Sequence, residues 1–376
     1  MTDVADTPGP PAGQFTIGIE EEFHLVDPVT RSLTPDAELV LSGRTWDERV
    51  VAELQRSMIE TRTGVCRTLG QLRDQLVDLR RELIAAAGEV ERWVVAAGTV
   101  PSFDWRQQRI TPDPRFERMA HDFQHVAREQ LICGCQTHIG IDDPEVAIQV
   151  MNRARGWLPT LLALSASSPY WAQVDTGYAS YRAAQWRRWP TAGMPQQFES
   201  RAAYDTIVET LVAVGVIADP GMLYWDVRPS DRHHTLEFRI PDACPTVDEV
   251  VLQAGLARAI ARTCHDEVTS GAPPSPVPWE LLNLAAWQAA RFGLTGALVD
   301  VQAGRTVSAG ERVRQLLAYV RPALEEEGDW EEIASLIEAL LLGGTSSERQ
   351  RRAYTRRGRA EDVVDHLVAE TGQDVT

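Results

Sequence analysis

From Phe15 to Val26 the chain alternates: Phe15, Ile17, Ile19, Phe23 and Leu25 are apolar, and Thr16, Gly18, Glu20, Glu22 and His24 stand between them. A period of two marks a β-strand with one apolar and one polar face. Glu21 breaks the pattern, because it falls on the apolar side. Glu20 and Glu22 therefore share a face, roughly 7 Å apart along an extended strand, and Glu21 points the other way. Such a strand needs a core against one side of a sheet and a use for acid on the other.

Further elements follow in order. Val50 to Val65 is β-rich, and Leu69, Leu72, Leu76, Leu79 and Leu83 recur at spacings of three and four, which predicts an amphipathic helix. Arg92 to Val100 reads as a strand, Pro114 to Glu129 as a helix, and Leu131 to Ile141 as a strand with His138 on its more polar, glycine-flanked face. Asp143-Pro144 opens another helix. Residues 222–240 read as a hairpin whose second strand puts Glu237 and Arg239 on one face. Beyond it the chain is mostly helical, with start signals at Thr246/Glu249, Ser308/Glu311 and Asp329/Glu332. There is no GxGxxG and no strict βαβ rhythm, which disfavours a doubly wound fold. The expected class is α+β, an antiparallel or mixed sheet with helices packed on one face. Residues 1–14 read as a flexible tail without signal-peptide character. Residues 15–376 are expected to form a single catalytic domain, mostly helical from about residue 246.

The chain contains no lysine, so all 37 basic residues are arginine. A P-loop and a Schiff-base or pyridoxal site both need lysine and are excluded. Phosphate charge must be met by metal ions and by arginine forks. The formal net charge of -17 argues against nucleic acid or an anionic membrane as partner. No apolar run is long enough to span a bilayer. Cys66, Cys133, Cys135, Cys244 and Cys264 are odd in number and lack paired spacing, which suits reduced thiols and a cytoplasmic location.

Glu20, Glu22, Glu53, Glu60, His138 and Glu237 are each polar groups in otherwise apolar runs. Carboxylates with one imidazole form a hard, oxygen-rich set that favours Mg²⁺, with Mn²⁺ as the substitute, over Zn²⁺. Glu53 and Glu60 do not fit one face of a straight strand, so a turn or bulge must separate them. The same residues also fit a solvated strand edge, a hydrogen-bonded core histidine and a Glu237–Arg239 cross-strand ion pair.

GIEEEFHLVDP at 18–28, ELQRSMIETRTGVC at 53–66, QTHIGI at 136–141, LSASSPYW at 164–171 and HTLEFRIPD at 234–242 together resemble the glutamate-cysteine ligase type 2 family, in its carboxylate-amine ligase branch. WQAARFGL at 287–294 and GTSSERQR at 344–351 are similar to its C-terminal part. The resemblance implies a glutamine-synthetase-like fold, a curved sheet holding metal ions between ATP and an amino-acid substrate. It implies amide formation through an acyl phosphate, with ATP as co-substrate. Carried over by position, the metal set is Glu20, Glu22, Glu53, Glu60, His138 and Glu237. Glu60 and Arg239 are the expected catalytic residues, Arg239 facing the transferred phosphoryl group. Tyr178, Arg182, Arg291 and Arg351 are expected to bind substrate or ATP, with Tyr178 to Arg188 closing over the site and Arg182 clamping a carboxylate. A phosphotransferase acting on a carboxylate or guanidinium, or a non-catalytic binding module, would use the same scaffold. The expected partners are ATP and small amino-acid, carboxylate or amine substrates, and homo-oligomerisation stays open.

Overall fold

In the computed structural model, which describes residues 15–375, the strands are β1 (Ile17–Val26), β2 (Val50–Ala52), β3 (Met58–Arg62), β4 (Trp93–Val95), β5 (Cys135–Gly140), β6 (Tyr170–Trp171), β7 (Val174–Asp175), β8 (Val227–Pro229), β9 (Thr235–Phe238), β10 (Ala297–Asp300) and β11 (Arg305–Ser308). The expected 1–14 tail lies outside the described residues. The main sheet runs β2-β3-β1-β5-β9-β8, with β4 paired to the end of β1. All of these ladders are antiparallel, which decides between the antiparallel and mixed alternatives.

The helices are α1 (Ala37–Ser42), α2 (Leu69–Glu89), α3 (Pro114–Phe123), α4 (His125–Arg128), α5 (Pro144–Ala154), α6 (Leu158–Ser165), α7 (Tyr181–Trp186), α8 (Arg201–Ala213), α9 (Val247–Thr269), α10 (Trp279–Phe292), α11 (Ala309–Glu327), α12 (Trp330–Gly343), α13 (Ser346–Thr355) and α14 (Ala360–Thr371). The apolar face of β1 is buried against α2 and α9. Ile17 and Ile19 share a core with Leu69, Leu72 and Leu76, and Phe23 and Leu25 share one with Leu79 and Leu83. The five leucines of α2 are each at most 1% exposed, and burial of each contributes about 1.5–3 kcal/mol. Glu21, the odd residue on that face, meets Arg80 of α2 at 2.5 Å. Burying an acid there is tolerable because the helix brings its counter-charge with it.

Local signals set most boundaries. Thr68 caps α2, Asp143 caps α5 through the Glu145 and Val146 N–H groups, and Thr246 with Glu249 forms a full capping box on α9. Two expectations are corrected. Arg92 to Val100 is strand only over Trp93–Val95, because Gly98 is drawn aside against Asp242 and Ser168. The expected 114–129 helix breaks at Gln124, whose φ of 47° is not helical. α12 starts where the Asp329/Glu332 signal put it, although the Asp329 carboxylate is engaged by buried Arg258 and makes no cap hydrogen bond. The helical C-terminal part also contains the β10–β11 hairpin.

Candidate active site

Strand register gathers the polar groups. Glu20 lies opposite Arg62 and Gln136, Glu22 opposite Glu60, and Gly18 opposite His138. His138 in turn lies opposite Glu237, and Glu237 opposite Arg228. All project from the face of the sheet that α2 and α9 leave uncovered. Glu53 joins them from just past β2, where its N–H donates to the Met58 carbonyl (3.3 Å); the turn over 54–57 is the break that the spacing required. Together these groups line a cleft of about 350 Å³. Arg62, Arg115, Arg228, Arg232 and Arg239 line it too, and Phe116, Trp186, Trp189 and Tyr224 supply aromatic wall.

The six acidic and imidazole groups fall into two triads. Glu20, His138 and Glu237 each offer one ligand atom within 4.8 Å of the others, and so do Glu22, Glu53 and Glu60. His138 Nδ1 is engaged by the Thr235 hydroxyl at 2.9 Å. Its Nε2 is buried, has no hydrogen-bond partner, and stands 3.5 Å from Glu20 Oε1. A ring held at one nitrogen with the other left open among carboxylates is the form in which histidine ligates metal.

The charge balance points the same way. Burial, and then Glu53, push Glu22 up to about 7, although Arg182 and the Gly134 N–H act against them. Burial and the neighbouring Glu20 and Glu53 carboxylates raise Glu60 well above the usual range, in spite of Arg62 at 2.5 Å. The Glu22–Glu53–Glu60 triad is thus short of positive charge, which a divalent cation would supply. The other triad is better compensated. Burial opposes ionisation of Glu237, but Arg239 and Arg228 overcome it and hold the carboxyl well below its ordinary value. Likewise His138 outweighs burial at Glu20 and lowers it. The residues present therefore fit hard divalent ions.

Several groups in this site escaped the sequence reading. Gln136 bonds both Glu22 (3.2 Å) and Arg239. Arg62 pairs with Glu60, and Arg228 with Glu237 at 2.9 Å. The period-two pattern marks Gln136 and Arg62 as lying on the same faces as His138 and Glu60, so a signal existed for both.

Four expected binding residues lie elsewhere. Arg182 is 4% exposed and does not line the cleft. Its guanidinium donates to the Ile240 and Arg239 carbonyls (3.2 and 3.3 Å) and sits so close behind Gly134 that any side chain there would collide with it. It supports the backbone N–H that Glu22 accepts at 2.6 Å, which is a positioning task. Tyr178, Arg291 and Arg351 form a separate cluster. Arg351 pairs with Asp175 (2.7 Å) and donates to the Tyr178 carbonyl (2.8 Å), while Arg291 donates to the Gly177 carbonyl. These arginines tie the 175–178 turn to α10 and α13 because the turn has carbonyls that no strand satisfies. Of the Tyr178–Arg188 stretch, Trp186 alone lines the cleft. Arg349 pairs with Glu370 and Glu249, and Arg357 with Asp362; the arginine-rich 349–359 segment is held largely by structural acids.

A profile described as Glutamate-cysteine ligase family 2 matches residues 16–366. The chain belongs to this family. A relative from Mycolicibacterium smegmatis, provisionally named glutamate–cysteine ligase 2-2, is 45% identical over 96% of this chain and 91% of its own. One from Frankia alni, provisionally named glutamate–cysteine ligase 2-3, is 47% identical over 96% of this chain. The chain spans only 42% of that Frankia alni relative and 41% of one from Frankia casuarinae. Among solved structures, the Francisella tularensis glutamate–cysteine ligase in complex with AMP shares the fold at a TM-score of 0.73 and 11% identity, covering 96% of this chain and 93% of its own. A bifunctional glutathione synthetase from Pasteurella multocida also reaches 0.73, at 16% identity, over 96% of this chain and 53% of its own. The fold of the sheet and its helices is thus shared with these structures.

Proposed function

We propose that the protein is an ATP-dependent carboxylate–amine ligase, with Mg²⁺ or Mn²⁺ held by Glu20, His138 and Glu237 and by Glu22, Glu53 and Glu60. The observation that carries this reading is a pair of metal-competent triads sharing one cleft with five arginines. Divalent ions bound there would neutralise phosphate charge and align the phosphoryl donor.

A substrate carboxylate oxygen attacks the terminal phosphorus of ATP, giving an acyl phosphate and ADP. A neutral amine then attacks the acyl carbon. Phosphate departs with the electron pair of the C–O bond, and the amine nitrogen gives up a proton, leaving the amide. The chain's own contribution is orientation and charge. Glu237 and Gln136 fix the Arg239 guanidinium, which faces the transferred phosphoryl group. Glu60 holds Arg62 in the same cleft. Trp186, Trp189 and Tyr224 keep water from the acyl phosphate. Family membership makes glutamate and cysteine the first pair to assay. The five cysteines, buried and unpaired, favour a cytoplasmic setting, and no helix among the described residues is long and apolar enough to cross a membrane.

The test is incubation with ATP, Mg²⁺ and amino acids, followed by nucleotide analysis and mass spectrometry. ADP, phosphate and a new amide are expected in equal amounts. Formation of AMP and pyrophosphate, or phosphoryl transfer without an amide, would overturn the assignment.

A further inference from the structure

A second cavity, of about 160 Å³, is walled by the end of α5, by α9 and α11, and by Ser275 and Val277 of the α9–α10 connection. None of its lining residues belongs to the cleft. Its floor holds a cation without an anion. Arg155 is 3% exposed, and among the described residues it has no carboxylate partner. Its Nε donates to the Asn152 carbonyl and its Nη1 to the Pro195 carbonyl, both at 3.1 Å. Nη2 reaches only Gln197 Oε1, at 3.5 Å.

That makes Arg155 an exception within this molecule. The other buried arginines each have an acid within 4 Å: Arg80 has Glu21, Arg182 has Asp242, Arg228 and Arg239 share Glu237, Arg258 has Asp329, and Arg312 has Asp300. A buried charge is tolerated when it is paired, and an unpaired one implies a partner that is not part of the chain. Arg153 lines the same cavity. Its buried Nε has no hydrogen-bond partner, and Glu267 stands 3.6 Å away. Two guanidinium groups against one carboxylate leave the wall with one net positive charge. Burial lowers Arg155 to about 10, and it lowers Arg312 equally in spite of Asp300, so the distinction of Arg155 lies in its contacts.

We propose that this cavity is a binding site for a small oxyanion, a carboxylate or a phosphate, with Arg155 as its counter-charge and Arg153 as a second donor. Gln302 Oε1 accepts from Arg312 at 3.1 Å, which leaves the Gln302 amide N–H groups as further donors on the wall. Trp157, Val277 and Leu282 provide an apolar side for a short carbon chain. At about 160 Å³ the cavity is less than half the size of the cleft, which suits a small anion.

The test is thermal denaturation of the full chain, titrated at constant ionic strength with inorganic phosphate, acetate and glutamate in turn. A saturable rise of about 3 °C is expected at an anion concentration a hundred times the dissociation constant. Arg155→Met should abolish it. So should Ser275→Trp, which blocks the cavity from an exposed loop without touching its charges. Glu22→Gln, in the catalytic cleft, should keep it. A response to phosphate alone assigns a phosphoryl ligand, and a response to acetate or glutamate assigns a carboxylate. No saturable rise with any of the three anions, or an equal rise in wild type, Arg155→Met and Ser275→Trp, would overturn the proposal.

Discussion

Three consecutive glutamates, Glu20, Glu21 and Glu22, should fail in different ways when neutralised. Glu21 is 2% exposed and Arg80 is 0% exposed. Arg80 bonds Glu21 at 2.5 and 3.3 Å, and also the carbonyls of Pro245 (2.7 Å) and Cys244 (2.8 Å). Glu21→Gln leaves that guanidinium buried with carbonyls only, and breaking one side of a buried pair costs about 3–5 kcal/mol. Unfolding entropy of about 2.1 cal/mol/K per residue over 376 residues amounts to about 0.8 kcal/mol/K. The expected fall in melting midpoint is therefore about 4–6 °C. Glu21→Leu with Arg80→Met should recover most of it, because an apolar pair of similar volume escapes the desolvation cost. Glu22→Gln removes one of three crowded carboxylates, so without metal its midpoint should stay level or rise. Its loss should appear instead in the Mg²⁺-induced rise in midpoint and in turnover. Differential scanning fluorimetry with and without Mg²⁺, beside an ADP-release assay, separates the two. Wild-type melting for Glu21→Gln, or a fall in Glu22→Gln as large as that of Glu21→Gln, would refute the assignment of faces.

Arg239→Lys keeps the charge and could keep the contacts that Nη1 makes with Glu237 and Gln136, but it loses the other guanidinium donors, among them a buried Nε without a hydrogen-bond partner, so kcat for ADP release should fall by about 10²–10³-fold; a change under threefold would contradict the role of Arg239. Burial, and then Arg349, Arg356 and Arg352, lower His366 to about 4. His366 thus stays neutral in the folded chain below the pH at which it charges when unfolded. Its contribution to stability is complete above pH ~6.5 and is lost as pH falls toward 4, although the Glu370 carboxylate 3.3 Å from Nε2 acts against the shift. His366→Gln should flatten that part of the stability–pH curve in urea titrations, and an unchanged slope would count against it. A Cβ at Gly98 would lie 2.8 Å from Asp242 Cγ and 2.9 Å from Ser168 Cβ, so Gly98→Ala should cost about 1–3 kcal/mol. This should be read as a lower urea midpoint at an unchanged m-value.

Local pattern alone determined a good deal about this protein. Alternation within 15–26 put Glu20 and Glu22 on one face and Glu21 on the other, and the leucine spacing of 69–83 placed the helix that covers the apolar side. The same rule marked His138 and Glu237, because the face a strand residue occupies is a property of its immediate neighbours. What the pattern could not supply was the partner of each arginine. Arg182, Arg291 and Arg351 were expected at the site, yet their contacts lie 57, 114 and 173 positions away in sequence and on loop carbonyls. Arg62 and Arg228, passed over in the sequence, face the cleft because antiparallel register sets them opposite Glu20 and Glu237. A long, flexible cation has no periodic signature, and its position follows from which chain ends the fold brings near it. The division of the six acidic and imidazole groups into two triads is likewise tertiary, since it depends on the pairing of β1 with β3 and β5, and of β5 with β9.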